Sequence, residues 1–224
     1  MKKAHLFVVA VVLVLSPQLV SAQDLSRYRG YALNSTLDTV IAATGARATD
    51  TKVLHERPSL IQELEWRTPY SSSTTALADP VRLIIFSFCD NALYQVLVSY
   101  DSSRTDGLTN GDIIDSLTTT YGAPLAGSVR TRPLDAPADA VVLAQWDRDG
   151  SSLTLFRGVY SSEFQLMLTS KLLSTRARGA IREAARLDIV DAPRRERDQR
   201  KKEAADATAA KDKIRAANKA AFRP

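Results

Sequence analysis

Glu63 and Glu65 stand two residues apart in the stretch LIQELEWR (60–67), which alternates apolar and polar side chains. On a β-strand this spacing puts both carboxyl groups on one face, near enough for each to shift the pKa of the other. Such a pair can supply the acid and the base of a hydrolytic reaction. Solvent-facing glutamates on a half-buried strand produce the same pattern, and we favour that interpretation.

Histidine and cysteine are too scarce to build a metal centre. Beyond the first 22 residues the chain has one histidine, His55, and one cysteine, Cys89. Cys89 ends the apolar run IIFSFCDN (84–91), where cysteine usually behaves as a small buried hydrophobe, although a reactive or intermolecular Cys89 stays open. A Cys–His dyad would require His55 to meet Cys89 in the fold. We therefore expect no metal site and no cofactor.

Two loop segments resemble catalytic or ion-binding motifs without completing them. DRDG (147–150) begins like a calcium loop but lacks the later ligands and the closing glutamate, so it predicts a hairpin turn. YDSSRTDG (100–107) holds serine, aspartate and arginine but no histidine to activate the serine. An envelope hydrolase whose site the sequence hides remains the alternative to a non-enzymatic protein.

Residues 1–22 have the pattern of a secretory signal peptide. Lys2 and Lys3 precede an apolar run from Leu6 to Leu15, and Val20-Ser21-Ala22 offers small residues for cleavage before Gln23. The apolar run is too short to span a bilayer. The sequence therefore predicts a periplasmic or secreted protein of a bacterium, without a transmembrane segment after signal removal.

The basic character of the chain is confined to its two ends. Residues 193–224 hold eleven Lys/Arg and five Asp/Glu, a net +6, and the leader adds +2; removing both from the formal net charge of +5 leaves −3 for residues 23–192. The body is thus mildly acidic. Export and the interleaved acidic residues argue against nucleic acid as a partner of the basic segment.

The body contains two similar helical segments, 33–45 and 107–124. The first ends at Gly45; the second has Thr109 as N-cap, Asp112 as its capping-box partner and Gly122 after its last turn. Each is followed by a strand that carries a tryptophan, Trp66 or Trp146, and then by a pair of β runs. These are 81–88 with 93–100, and 151–158 with 163–170.

This order predicts an α+β fold of two helix-plus-three-strand units, 23–106 and 107–173. We expect them to form a six-stranded antiparallel sheet with the helices on one face, followed by a C-terminal helical extension. Internal duplication explains the order, and chance similarity of two α+β halves is the alternative.

The motif of the second unit resembles known envelope proteins. Gly107, Leu108, Thr109, Ile113, Gly122, Pro124 and Trp146 together are similar to the repeat of small outer-membrane-assembly lipoproteins and of β-lactamase-inhibitor-protein-like domains. A weaker echo in the first unit uses Leu33, Val40, Gly45 and Trp66. The resemblance implies protein–protein binding in the envelope and no enzymatic activity. The chain departs from the lipoproteins in lacking a lipidated cysteine after the leader.

The C-terminal region predicts two helices. Residues 174–192 place apolar side chains at helical intervals and should pack on the body, and Asp191 can cap a second helix that has Pro193 in its first turn. Residues 193–224 are rich in alanine and in i,i+4 ion pairs such as Glu196 with Arg200, but lack an apolar stripe. They predict a solvated helix or a disordered tail, either a solubilising tether or a weak contact for anionic lipid or cell-wall polymer.

These observations together predict an exported, non-enzymatic binding or scaffold protein of the bacterial cell envelope, which makes protein–protein or envelope-surface contact. An unidentified protein of the envelope is the expected partner. Four residues are candidates for partner binding. They are Arg57, Trp66, Trp146 and the C-terminal Phe222, the aromatic residue that ends the Ala/Lys-rich run.

Overall fold

A computed structural model of the chain describes residues 24–68, 79–126, 132, 136, 138–148, 150–159 and 163–223. The predicted leader and the residue that follows its cleavage site, Gln23, lie outside these residues. The described elements follow one another along the chain as β1 (Arg27–Tyr28), β2 (Tyr31–Ala32), α1 (Leu37–Thr44), a 3₁₀ turn (Ala48–Asp50), β3 (Thr51–His55), β4 (Ile61–Arg67), β5 (Val81–Cys89), β6 (Ala92–Tyr100), α2 (Asn110–Tyr121), β7 (Ala140–Arg148), β8 (Ser151–Gly158), β9 (Phe164–Ser170) and α3 (Lys171–Ala221).

The fold is α+β, as predicted, with a main sheet whose strand pairs are all antiparallel. Its order is β3-β4-β5-β6-β9-β8-β7, so the meanders β4–β6 and β7–β9 meet through their last strands. The predicted six strands are all present. The sheet has a seventh, β3, and a separate two-stranded ribbon, β1–β2, precedes α1.

The prediction of six strands was wrong by this one edge strand. The sequence TKVLH of β3 shows no apolar–polar alternation, and Val53 at its centre is 47% exposed. An edge strand pairs on one side only and is half solvated, so its sequence carries little of the pattern by which strands are recognised. The duplicated-unit description remains a prediction, with which the symmetric order of the other six strands is compatible.

The main core lies between one face of the sheet and the helices α1 and α2. Val40 of α1 and Tyr121 of α2 are buried against the same cluster of sheet residues, and Ile41, Ile113 and Leu117 pack beside them. The structure confirms the predicted caps at the start of α2 and at the end of α1. Thr109 and Asp112 form a capping box at α2, and Gly45 takes a left-handed conformation (φ 70°) after α1.

The two tryptophans bind the C-terminal ends of these helices. The Trp66 Nε1–H donates to the carbonyl of Thr44, at 3.1 Å, and the Trp146 Nε1–H donates to the carbonyl of Gly122, at 2.7 Å. The last carbonyls of a helix have no partner within the helix, so each indole satisfies one of them. Each meander is in this way tied to the helix that precedes it.

The third helix, α3, packs on the opposite face of the sheet. Ala177 and Ala180 contact Ile61, Cys89 and Tyr94, which point away from the main core. Packing of this segment on the body was predicted, but its bounds and its continuity differ. α3 begins at Lys171 with Ser170 as its N-cap and runs unbroken through Pro193, so the division into helices 174–192 and 193–224 was wrong.

We expect Trp146→Phe to destabilise the protein more than Trp66→Phe does. Both changes remove one indole hydrogen bond, worth about 1 kcal/mol, but Trp146 is 1% exposed whereas Trp66 is only partly buried, so Trp146→Phe also loses more buried side-chain surface. Urea unfolding should give a loss of about 2–3 kcal/mol for Trp146→Phe and about 1 kcal/mol for Trp66→Phe. Equal losses would contradict the assignment of Trp146 to the core.

Candidate functional site

The first four turns of α3 are seated on the sheet by small side chains. Ala177, Ala180 and Ala184 are 0%, 8% and 3% exposed. Leu173 and Ile181 pack beside them against Ile61. Because alanine projects one carbon from the helix, the helix axis can approach the strands closely, and a larger residue at these positions would overpack the contact.

Three ion pairs fix α3 to separate points of the body. Lys171 pairs with Asp147 at the end of β7, Arg176 with Asp90 in the β5–β6 turn, and Arg57 in the β3–β4 loop with Asp191. All six side chains are partly solvated, so each pair contributes at most about 1 kcal/mol, less than the burial of Ile61, at roughly 2–3 kcal/mol. The ion pairs therefore set the direction of α3, and apolar burial holds it.

The β5–β6 turn joins helices on both faces of the sheet. Asp90 (φ 48°) and Asn91 (φ 66°) are both left-handed, as a two-residue hairpin turn of this kind requires. The Asp90 carboxylate accepts bonds from Arg176, at 2.5 Å, and from the backbone N–H of Leu60. The Asn91 side-chain oxygen accepts the N–H of Leu37 at the start of α1. One turn thus positions α1 and α3 together.

At Pro193 α3 leaves the body, and an arginine spans the proline. Pro193 has no N–H to donate to the carbonyl of Ile189, a defect that usually kinks or ends a helix. The Arg195 guanidinium reaches back over this gap and donates to both the carboxylate and the backbone carbonyl of Asp188, each at 2.9 Å. Arg57 holds Asp191 two residues before the proline and keeps the pKa of that carboxyl below its usual value.

Beyond this exit, every described residue from 192 to 223 is exposed. We call this segment the arm. Its helical part, 192–221, extends about 45 Å at 1.5 Å per residue. The predicted Glu196–Arg200 pair is present at 2.5 Å, and a Gln199–Glu203 hydrogen bond supports the same turns. Of the two outcomes left open by the sequence, a solvated helix or a disordered tail, the structure has the helix.

The four predicted partner-binding residues lie in different parts of the molecule. Trp146 is buried and Trp66 half-buried, each bound to a helix end, so their rings belong to the packing of the body. Arg57 sits at the exit of α3 in its ion pair with Asp191. Phe222 follows the last turn of the arm and is 75% exposed. Of the four, Phe222 presents an apolar surface to solvent.

The residues considered for chemistry do not converge. His55 ends β3, whereas Asp101 follows β6 at the opposite end of the sheet and is bonded to Ser103. Glu65 pairs with Arg67. Cys89 is buried beneath α3, as predicted, and burial raises the pKa of its thiol. Among the residues that the structure describes, no group of three or more His, Cys, Asp or Glu side chains could hold a metal ion.

One cluster of titratable groups was not anticipated from the sequence. Tyr28, Tyr100 and Tyr121 meet beside Arg29, whose guanidinium binds both oxygens of Asp79 at 2.6 and 2.8 Å. Burial raises the pKa of all three phenols, that of Tyr121 to about 12. Phenols shifted in this direction stay neutral at physiological pH and are poor bases and nucleophiles. The cluster therefore ties the β1–β2 ribbon to the ends of β6 and α2.

Comparison with protein-family models, with curated proteins and with solved structures finds no match for this chain. The resemblance to envelope assembly and inhibitor domains therefore stays a prediction. No helix among the described residues is both long and apolar enough to cross a membrane.

We expect Arg195→Ala to loosen the helix at its exit from the body, because it removes the contacts that span Pro193. Hydrogen exchange of the amides from 192 to 198 should accelerate by up to about fivefold, the factor that ~1 kcal/mol allows. Arg197→Ala is the matched control, since Arg197 carries the same charge two residues further along the arm. Equal acceleration in both variants would show that Arg195 does not brace the proline.

Alkaline unfolding should test the tyrosine cluster. Because the pKa of Tyr121 rises from 10.0 to about 12 in the folded protein, its contribution to stability is complete below pH 10 and is lost as the pH rises through about 12. Tyr121→Phe removes this titration. The free energy of unfolding of the variant, followed in urea between pH 9 and 12, should fall less steeply than that of the unaltered protein, by roughly 2–3 kcal/mol over the range. Parallel curves would contradict a buried phenol at this position.

Proposed function

We propose that this protein is an exported, non-enzymatic binding or scaffold protein of the bacterial cell envelope, in which a folded body holds out a helical arm for contact with an envelope surface or partner. The observation that carries the proposal is the division of α3 into a seated part, 171–191, and a wholly exposed part, 192–221. The leader-like segment 1–22 supports the location.

The arm contributes little to the folding of the body. Its described residues are all exposed, and the residue that its Arg195 binds, Asp188, is not part of the core, so its removal uncovers no described core residue. Yet it exposes Ile214 and Phe222, at 61% and 75%, and carries the excess positive charge of the chain. Exposed apolar groups beside a concentration of charge are typical of a contact surface.

The body is suited to act as the base for such an arm. Three ion pairs and a row of buried alanines fix the seated part of α3, and the β5–β6 turn links it to α1 on the other face. When a partner binds the end of the arm, the pull on the arm is therefore transmitted through α3 to the sheet. The acidic body and the basic arm also present surfaces of opposite sign.

The test is retention in the envelope of the producing cell. Three forms would be compared: the complete protein, a form lacking 193–224, and a form of full length in which the arm's Lys and Arg residues are Gln. Urea unfolding of all three checks that the body is intact. We expect the complete protein to co-purify with the envelope fraction and both altered forms to be released. Undiminished retention of the form that lacks the arm would contradict the proposal.

A further inference from the structure

The helical conformation of the arm sorts its charges onto different sides. In the sequence, basic and acidic residues alternate, but a helix turns about 100° per residue. Five cations then fall within about a quarter of the circumference. This basic face consists of Arg197, Lys201, Lys211, Arg215 and Lys219. Among the described residues none of the five is held in an ion pair.

The remainder of the arm is close to neutral. Asp212 and Arg194 border the basic face on one side, and the other acidic residues lie around the rest of the circumference together with Arg195, Lys202 and Lys213. Arg200, at the other border of the basic face, is paired with Glu196, and Arg195 is bound to Asp188. The net charge of the arm is therefore presented mainly on one side.

Apolar side chains join the basic face near the end of the arm. Ile214, Asn218 and Phe222 form one ridge at i,i+4 spacing, and Lys211, Arg215 and Lys219 form the next ridge. The six side chains line a shallow groove that opens to solvent. Cations with long aliphatic stems beside an exposed Ile and Phe can bury the stems and rings while the charged groups stay in water.

We propose that this face of the arm docks on a bilayer surface that contains anionic lipid. The five cations contact lipid phosphates, and Ile214 and Phe222 enter the boundary between headgroups and acyl chains. The inference deepens the proposed function and rests on it, because it identifies the surface that the arm contacts. The helix lies in the interface and does not span the bilayer, since its opposite side carries both signs of charge.

The apolar ridge decides between a bilayer and other anionic partners. A soluble polyanion neutralises the cations but offers nothing to Ile214 and Phe222, whereas the bilayer interface buries both. The acidic body of a second copy offers opposite charge, −3 over residues 23–192. That charge is spread over a whole folded domain, whereas an anionic bilayer presents a continuous surface along the length of one helix face.

The experiment measures partitioning of the processed protein, purified from the producing cell, onto vesicles. Vesicles of phosphatidylglycerol mixed with phosphatidylcholine are compared with vesicles of phosphatidylcholine alone, at low and at high salt. We expect binding to the mixed vesicles alone, weakened by salt. Lys211→Glu with Lys219→Glu should reduce binding at least about 25-fold, since each lysine near an anionic surface contributes roughly fivefold.

Lys202→Glu with Lys213→Glu is the matched control. It makes the same chemical change and the same change of net charge on the other side of the arm, and we expect it to reduce binding less than about threefold. Equal losses in the two double variants would overturn the assignment of a face. Phe222→Ala should weaken the part of the binding that persists at high salt, and no effect of Phe222→Ala would overturn the bilayer as the occupant.

Two further outcomes would also overturn the proposal. One is binding to dextran sulfate as tight as to vesicles and insensitive to Phe222→Ala, which would assign the face to a soluble polyanion. The other is concentration-dependent self-association without vesicles that is lost in the Lys211→Glu, Lys219→Glu variant, which would assign it to a second copy. If the protein does not bind vesicles but its retention in the envelope still depends on the arm, lipid is not the partner of the basic face and the proposed function stands.

Discussion

The seating of α3 on the sheet through Ala177, Ala180 and Ala184 is the contact that gives the arm its direction. A helix that is bound only by its end would swing freely, but α3 packs on β9, β6 and β5 through side chains buried from Ser174 to Ala184, about three turns, before the helix leaves. The small side chains bring the axis near the strands, and the ion pairs of Lys171, Arg176 and Arg57 fix its angle. The bonds from Arg195 to Asp188 span Pro193, so the arm continues in the direction of the seated part.

The body supplies the rigidity that this arrangement needs. Each three-stranded meander is bound to the helix before it by an indole hydrogen bond, and the two meanders join through β6 and β9. The sheet is buried on one face by α1 and α2 and is crossed on the other by α3. The Asp90-Asn91 turn bonds to both layers, so the positions of α1 and α3 depend on one another.

Local signals in the sequence predicted most of the body. Thr109, Asp112, Gly45 and Gly122 define helix ends by capping chemistry that acts within a few residues. The six predicted strands were found from runs of apolar, β-branched and aromatic residues bounded by turn signals, which are local as well. What the sequence did not predict depends on contacts between distant parts of the chain. The edge strand β3 lacks alternation, and Pro193 has the sequence appearance of a helix start until Arg195 and Asp188 are seen to span it.

The roles of the candidate binding residues also depend on contacts that the sequence did not predict. Arg57 and Phe222 were singled out by residue type, but their roles at the exit and the end of the arm depend on α3 being one helix. The acidic residues interleaved along the arm argued against nucleic acid as a partner. Helical geometry separates most of them from the basic face, and this separation depends on the segment being a helix and not a disordered tail, which the sequence left open.

If α3 is one helix that continues through Pro193 in the direction set by its seated part, a single distance across the proline is fixed. Spin labels at the exposed positions Thr175 and Ala210, with Cys89→Ala to leave no other thiol, are separated by 35 residues of helix. Pulsed electron spin resonance should then give one narrow distribution centred near about 52 Å. A broad distribution at clearly shorter distances would mean that the helix breaks at Pro193 and that the body does not set the direction of the arm.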